Sequence, residues 1–211
     1  MKFLEGMWYL LHEARHSQTC INVGWDPPMT RLISRHEEEG FCYCKRTDYV
    51  TKFGFPILDE ASLDVLAKYS NDWLEVGCGI GYLAYEMRQR GMTVIATDPV
   101  KNEESNYHWC QSTPWISDIE LLDAKSALLK YPGKNLIWGW PALDVHGNDY
   151  DLEAIKHFTG DYFALIGEIS YGSYGTDEFR EYISVNYTEV EYVELPSFEG
   201  VREALVIYEP N

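Results

Sequence analysis

The sequence predicts an α/β fold in which a mostly parallel β-sheet carries helices on both faces and ends in an antiparallel hairpin. Three observations support this prediction. From residue 58 to residue 185, apolar runs of strand length alternate with amphipathic segments of helical period. A turn with three alternate glycines joins the first of these strands to its helix. Two β-rich runs near residue 200 are separated by too few residues for a crossover helix, so they should be antiparallel.

The first β-α-β unit occupies residues 73–98, which read WLEVGCGIGYLAYEMRQRGMTVIATD. An apolar run with the length of a strand ends at the glycine turn. The helical period that follows has its apolar face at Ile80, Leu83, Ala84 and Met87. A second apolar run then ends at Asp98. Strand, glycine turn, helix, strand and acid, in this order, are typical of half of a nucleotide-binding crossover unit.

The remaining elements are predicted from periodicity, capping residues and breakers. Asp59 and Thr176 have the position and chemistry of helix N-caps. The predicted helices are 58–69, 101–110, 124–130, 148–158 and 177–185. The later predicted strands are 119–122, 134–140, 161–168, 188–195 and 204–208, of which the last two form the hairpin around PSFEG.

The glycine turn is suited to holding a ligand against the backbone. Glycine adopts positive φ without a Cβ penalty, and the missing side chains leave a ligand free to approach the N-terminus of the next helix. Asp98, at the end of the second strand, is placed to accept hydrogen bonds from both hydroxyls of a ribose. The pattern is GxGxG, and Tyr82 stands where GxGxxG needs its last glycine. Together with Glu75, an acid able to face a cationic amino-acid group, this favours S-adenosyl-L-methionine over a dinucleotide.

The residues LEVGCGIGYLA followed by VIATD resemble the cofactor motif and the ribose-binding acid of class I S-adenosylmethionine-dependent methyltransferases. A narrower similarity, from about Phe53 to Tyr208, is to a largely uncharacterised subgroup with the segments GYWA, WPPY and GEG. The corresponding segments are Gly81-Tyr82-Leu83-Ala84, Trp140-Pro141-Ala142-Leu143 and Gly167-Glu168-Ile169. This resemblance implies a Rossmann-like, seven-stranded sheet, S-adenosyl-L-methionine as cofactor, and methyl transfer as the activity.

In open α/β sheets ligands bind outside the carboxyl ends of the strands, so the candidate residues should surround one crevice. The predicted cofactor-binding residues are Glu75, Gly77, Cys78, Gly79, Gly81, Tyr82, Asp98, Asp123 and Ala124. We expect Asp123 to accept from the adenine amino group with Ala124 behind the ring; the alternative for Asp123 is a helix N-cap.

Trp140, Pro141 and Glu168 are the predicted catalytic residues. Trp140 would wall the methyl-transfer pocket, and Glu168 would orient the acceptor or act as its base. The alternatives are core packing for Trp140 and a solvated strand end for Glu168. Amino-methylating enzymes of this superfamily often have Asp/Asn/Ser-Pro-Pro-aromatic after the fourth strand. The segment Gly139-Trp140-Pro141-Ala142 departs from this pattern, which weakens N-methylation of adenine or cytosine as the predicted activity. Tyr49, Phe53 and Phe55 either pack over the cofactor or belong to the core.

Charge and composition narrow the classes of partner. The formal net charge is −17, and residues 145–211 hold 14 acidic and 3 basic side chains, which counts against nucleic acid as a partner. No run of 18 apolar residues occurs, and the first 16 residues lack the cleavage site of a secretory signal. The five cysteines are irregularly spaced, which favours reduced thiols. We therefore expect a cytoplasmic protein without a membrane segment.

Two motifs resemble metal sites only superficially. Residues 12–16 form HExxH, a zinc-protease pattern, but only eleven residues precede it and no third ligand is evident. Cys42 and Cys44, near His36, lack the usual CxxC spacing. We expect no metal.

The sequence predicts an N-terminal cap at residues 1–54 and a methyltransferase domain at 55–211. The leading hypothesis is methyl transfer to a small molecule or to an exposed group on a macromolecule. The alternatives are a nucleic-acid base methyltransferase and a catalytically silent, cofactor-binding interaction protein. The acceptor and the oligomeric state are left open.

Overall fold

The computed structural model describes residues 21–22, 49–100, 113–142, 149–172, 174–198 and 201–211. The predicted helix at 101–110, the HExxH motif and the cysteine pair at 42 and 44 lie outside the described residues. Within the described ranges, no helix has the length and apolar character to cross a membrane. The same ranges contain no cluster of three or more His, Cys, Asp or Glu residues arranged to hold a metal ion.

The described residues form nine strands and five α-helices. The strands are β1 (Ile21–Asn22), β2 (Asp72–Val76), β3 (Thr93–Asp98), β4 (Glu120–Leu121), β5 (Asn135–Gly139), β6 (Phe163–Gly167), β7 (Tyr187–Glu194), β8 (Ser197–Phe198) and β9 (Ala204–Pro210). The α-helices are α1 (Glu60–Tyr69), α2 (Tyr82–Gln89), α3 (Ala124–Lys130), α4 (Tyr150–Ile155) and α5 (Asp177–Asn186). Residues 49–53 are also helical, and Ile169–Tyr171 form a 3₁₀ turn.

Seven strands form one sheet in the order β4-β3-β2-β5-β6-β9-β7. The first five of these run parallel, and β9 is antiparallel to both β6 and β7. The predicted Rossmann-like, seven-stranded, mostly parallel sheet with a terminal antiparallel hairpin is therefore confirmed. All five residues of β6, FALIG, are buried, as expected for a strand covered by helices on both faces.

Helices cover both faces of the sheet, and each face has its own apolar layer. Leu63 and Leu66 of α1 pack in one layer with Met87 of α2. The second layer contains residues of α3, α4 and α5: Ala127, Leu128, Ala154, Ile155, Phe179 and Ile183. Strand side chains alternate between the faces, so Trp73 belongs to the first layer and Leu74 to the second. By the same alternation Glu75 lies on the face that α1 and α2 cover.

The predicted helix caps are present. The Asp59 side chain accepts a hydrogen bond from the Ser62 backbone N–H at 2.8 Å, and α1 begins at the next residue. Thr176 accepts from the Phe179 backbone N–H at 3.2 Å at the start of α5. The helix predicted at 148–158 is shorter than expected, because the chain leaves α-helical hydrogen bonding after Ile155: the Phe158 N–H donates to the Ile155 carbonyl three residues back.

The connection between the hairpin strands lies at the carboxyl edge of the parallel strands, because Ala204 at the start of β9 pairs with Gly167 at the end of β6. Within this connection β8 pairs antiparallel with β1, so residues 21–22 reach the same edge. Tyr49 and Phe53 are buried in the layer formed by α1 and α2. The boundary between an N-terminal cap and the main domain remains a prediction.

We predict that Asp151→Ala lowers the free energy of unfolding by about 2 kcal/mol, because it leaves buried donors unpaired. Asp151 is fully buried, and its carboxylate accepts from the Thr176 backbone N–H at 2.6 Å and from the Thr176 hydroxyl at 2.8 Å. Urea unfolding measures the loss. The control is Asp149→Ala, because Asp149 is exposed and makes no capping hydrogen bond. Equal losses in both variants would contradict the prediction.

Candidate functional site

The backbone of the glycine turn adopts the left-handed conformation at all three glycines. The φ angles are 65° at Gly77, 55° at Gly79 and 75° at Gly81. This region costs an L-residue with a side chain roughly 1–2 kcal/mol, which explains the glycines. The Cys78 N–H donates to the Thr97 carbonyl of β3 at 3.0 Å, so the turn is anchored to the neighbouring strand. A backbone contact thus holds the turn against β3.

The three glycines differ in what lies beside them. Among the described residues, a Cβ at Gly79 would meet nothing within 4 Å, and one at Gly77 would meet only the Trp138 indole nitrogen at 3.7 Å. A Cβ at Gly81 would lie 2.6 Å from the Ile116 side chain. With respect to the described residues the turn is therefore open at Gly79 and nearly open at Gly77, whereas Gly81 makes room for close packing.

Asp98 lies directly beside the open part of the turn. Its Oδ2 accepts from the Gly79 N–H at 2.8 Å, and its Oδ1 accepts from the Val100 N–H at 2.9 Å. Burial raises the pKa of the carboxyl, and these two N–H groups partly offset that effect. Each carboxylate oxygen keeps a second lone pair, so Asp98 can still accept hydrogen bonds from a ligand at this edge.

Glu75 lies beneath the turn and is only 3% exposed. The Ala84 backbone N–H donates to its carboxylate, which supplies the acceptor that α2 needs, because Gly81 at the N-cap has no side chain to provide one. The other oxygen, Oε2, has no hydrogen-bond partner in the described part of the chain. The pKa of Glu75 is raised to about 8, mainly by burial. The Asp98 charge adds to the rise, whereas the Ala84 N–H and the Arg88 charge partly offset it.

The raised pKa predicts how the stability of the free protein depends on pH. Between pH 4.5 and about 8 the folded state holds a proton that the unfolded state has lost, so ionisation of Glu75 makes folding less favourable as pH rises. Between pH 5.5 and pH 7, the free energy of unfolding of Glu75→Gln should therefore rise by about 2 kcal/mol relative to that of wild type. Urea unfolding at both pH values measures this. Glu178→Gln, at an exposed acid of α5, should gain nothing, and an equal gain there would contradict the prediction.

Asp123 is the N-cap of α3. Its Oδ1 accepts from the Ser126 backbone N–H at 2.8 Å, and its Oδ2 accepts from the Ser126 hydroxyl at 2.9 Å. These hydrogen bonds lower the pKa of the carboxyl. The observed contacts of Asp123 are therefore those of a helix N-cap, the alternative that the sequence left open. Ala124 begins the helix, and a contact of either residue with adenine remains a prediction.

Trp140 and Pro141 follow β5 at the carboxyl edge. Trp140 has φ of 50°, the only positive φ outside glycine in the described residues. Its backbone N–H donates to the Ile166 carbonyl at 2.7 Å, and the centre of its ring lies 5.7 Å from the centre of the Phe55 ring. The Pro141 carbonyl accepts from the Gly175 N–H at 2.9 Å. Residues held in such an unfavourable backbone conformation cluster at active sites and ligand sites.

Glu168, Tyr82 and Cys78 make different contacts. Glu168 follows β6, and its Oε1 accepts from the Arg202 backbone N–H at 3.3 Å, so it joins the strand end to the hairpin connection. The buried Tyr82 ring lies 5.0 Å from Trp115, within the aromatic packing rather than at the open turn. Burial raises the pKa of the Cys78 thiol.

Phe53 belongs to the same packing as Tyr82, with rings 5.0 Å apart, and Tyr49 lies beside Phe53 at 5.0 Å. The core alternative therefore describes the contacts of Tyr49 and Phe53. Phe55 differs, because it contacts Trp140 at the carboxyl edge.

Sequence reasoning missed Trp115, which joins separate parts of this edge. Its backbone N–H donates to the Ile80 carbonyl at 2.9 Å, and its indole N–H donates to the Lys52 carbonyl at 2.6 Å. The helical residues 49–53 are thereby tied to the start of α2. Trp115 lies in an irregular segment before β4, where no periodicity marks a contact residue.

Several solved structures are similar to this chain at low sequence identity. Magnesium protoporphyrin IX methyltransferase from Synechocystis PCC 6803, with bound S-adenosylmethionine, matches with a TM-score of 0.51 and 11% identity over 99% of this chain and 98% of that chain. A putative tRNA (m1A22) methyltransferase from Streptococcus pneumoniae, also with S-adenosyl-L-methionine, has a TM-score of 0.49 and 15% identity over 73% of this chain and 74% of that chain. A 1,6-didemethyltoxoflavin-N1-methyltransferase from Burkholderia thailandensis, with bound S-adenosylhomocysteine, has a TM-score of 0.48 and 15% identity over 72% of this chain and 77% of that chain.

No protein-family model and no curated protein matches the sequence. The likeness to the Synechocystis enzyme extends over nearly the whole of both chains, and at 11% identity it concerns the fold. The chain therefore has the Rossmann-like fold of that enzyme.

Proposed function

We propose that this protein transfers the methyl group of S-adenosyl-L-methionine to a small molecule or to an exposed group on a macromolecule. The observation that carries the proposal is the open backbone at Gly79, hydrogen-bonded directly to Asp98 at 2.8 Å. An open turn beside an acid at the next strand end suits an adenosine-bearing ligand. The buried Oε2 of Glu75, which no described residue contacts with a hydrogen bond, adds an acceptor for a cationic group.

The predicted cofactor-binding residues would contact three parts of the ligand: the ribose, the amino-acid part and the adenine. Asp98 would accept from the ribose hydroxyls. The backbone of Gly77, Cys78 and Gly79 would lie against the amino-acid part, above Glu75. Asp123 and Ala124 would flank the adenine, Asp123 through lone pairs that Ser126 leaves free. Gly81 and Tyr82 would act indirectly, by shaping the turn and its support.

S-adenosyl-L-methionine supplies an activated methyl group on a sulfonium, so the protein is required mainly to orient the acceptor and exclude water. Trp140 and Pro141 would border the acceptor at the end of β5. Glu168 would orient the acceptor, or take its proton where the acceptor atom carries one at neutral pH.

The acidic charge makes a nucleic acid the less favoured acceptor, because binding to its phosphates relies on Lys and Arg. The pattern of cysteines in the sequence leads us to propose that the activity is cytoplasmic.

Titration calorimetry tests the proposal. Both S-adenosyl-L-methionine and its demethylated product should bind with micromolar affinity, about −8 kcal/mol, and NAD should not bind. Absence of heat with both methionine-derived ligands, in protein shown to be folded, would refute the proposal. Binding without turnover in a broad screen of acceptors would favour the catalytically silent alternative.

A further inference from the structure

Glu75 is a buried acid that the proposed methyl transfer does not itself require. It lies on the otherwise apolar face of β2, beneath α2 and the glycine turn. Taking an ionised carboxylate out of water is costly unless a cation and hydrogen-bond donors replace the water. The surroundings of the carboxyl therefore decide which form is present.

Among the described residues, the charged and titratable groups that act on Glu75 come from three elements. Asp98 at the end of β3 is a second acid, Cys78 lies in the turn, and Arg88 on α2 is the cation among them. Arg88 is already engaged: its guanidinium donates to the Val94 carbonyl at 2.6 Å and to Asp118 at 2.7 Å. No ion pair to Glu75 is found in the described part of the chain.

The two oxygens of Glu75 have different environments. One accepts from the Ala84 N–H at the start of α2, and Oε2 has no partner among the residues that the structure describes. In the free protein the described residues would offer an ionised Oε2 neither a donor nor a cation. A ligand ammonium at the open backbone of the turn would supply both.

We infer that Glu75 carries a proton in the free protein and releases it when an ammonium group binds at the glycine turn, so that ligand binding is coupled to proton release. This inference rests on the proposed function. The O–H bond of Glu75 breaks, its proton passes to the buffer, and the carboxylate pairs with the ammonium, which keeps its own protons. The ligand class is an adenosine with a free amino-acid amine.

The coupling predicts a pH dependence of affinity. Burial holds the pKa of Glu75 near 8 in the free protein, so at lower pH the bound state requires loss of a proton. The dissociation constant of an amine-bearing ligand should therefore fall about tenfold per pH unit between pH 6 and pH 7 and level off above pH 8.

Calorimetry in several buffers counts the released protons, because the heat of a proton-releasing reaction depends on the ionisation enthalpy of the buffer. At pH 7, S-adenosylhomocysteine binding to wild type should release about one proton. Glu75→Gln should release almost none, and its amide oxygen keeps the contact to the Ala84 N–H. Methylthioadenosine, which lacks the amine, should bind wild type without release.

Each outcome decides a separate point. S-adenosylhomocysteine binding without proton release, or equal release in Glu75→Gln, would overturn the inference and leave the proposed function standing. Absence of binding by every ligand would instead refute the proposed function. The comparison of the two ligands uses wild type alone, so it decides the matter if the variant does not fold. Infrared difference spectra add a direct readout, the loss of a protonated carboxyl band in wild type.

Discussion

Replacing Gly79 by asparagine should abolish binding of S-adenosyl-L-methionine while the protein stays folded. Asparagine tolerates the left-handed conformation that Gly79 has, with φ of 55°. A Cβ there would meet nothing within 4 Å among the described residues, so the new side chain would start from open backbone and extend into the space proposed for the ligand. We expect the dissociation constant to rise at least about 1,000-fold, corresponding to roughly 4 kcal/mol, in titration calorimetry.

The chain offers a matched control for this variant. Gly91, in the connection between α2 and β3, also has positive φ, 83°, and also has open space at its Cβ position within the described structure. It lies at the amino edge of the sheet, opposite the proposed site, because it precedes β3. Gly91→Asn should therefore bind with wild-type affinity. If Gly79→Asn binds equally well, the open turn is not the binding site.

Asp98→Asn should weaken S-adenosylhomocysteine binding about 100-fold, close to 3 kcal/mol. The variant removes the negative charge and one of the two acceptor oxygens, whereas two ribose hydroxyls each donate to a charged acceptor in the proposed complex. The amide oxygen can keep the hydrogen bond from the Gly79 N–H, which holds the turn in place. Calorimetry measures the change, and circular dichroism checks the fold.

A second ligand separates ribose recognition from damage to the turn. The 2′-deoxy analogue of S-adenosylhomocysteine lacks one of the hydroxyls that Asp98 would bind. Wild type should bind this analogue more weakly than the parent compound, and Asp98→Asn should distinguish the two much less. An undiminished preference for the parent compound in the variant would show that Asp98 does not contact the ribose.

The elements that the sequence predicts well are those specified by local signals. Asp59 and Thr176 mark helix starts because a cap side chain bonds to a backbone group three residues away. The β2–α2–β3 unit follows from its apolar periods and its glycines. The terminal hairpin follows because the connection between its strands is too short for a helix.

The details of the site depend on contacts between distant segments, so the sequence does not show them. Ile116 covers Gly81 although 35 positions separate them, and periodicity carries no trace of that contact. The sequence predicts that Glu75 faces a ligand, but its bond to the Ala84 N–H follows from the way α2 packs on β2. The left-handed backbone of Trp140 is likewise a property of the folded chain, since a tryptophan gives no local signal for it.

A crystal structure with S-adenosylhomocysteine is the decisive test of whether the turn at residues 77–81 holds a sulfonium nucleoside. We expect ribose hydroxyls hydrogen-bonded to Asp98, the amino-acid part against Gly79, and the sulfur directed toward the end of β5 at Trp140. A ligand bound at another place, or a turn at Gly79 covered by the protein's own side chains, would contradict this assignment.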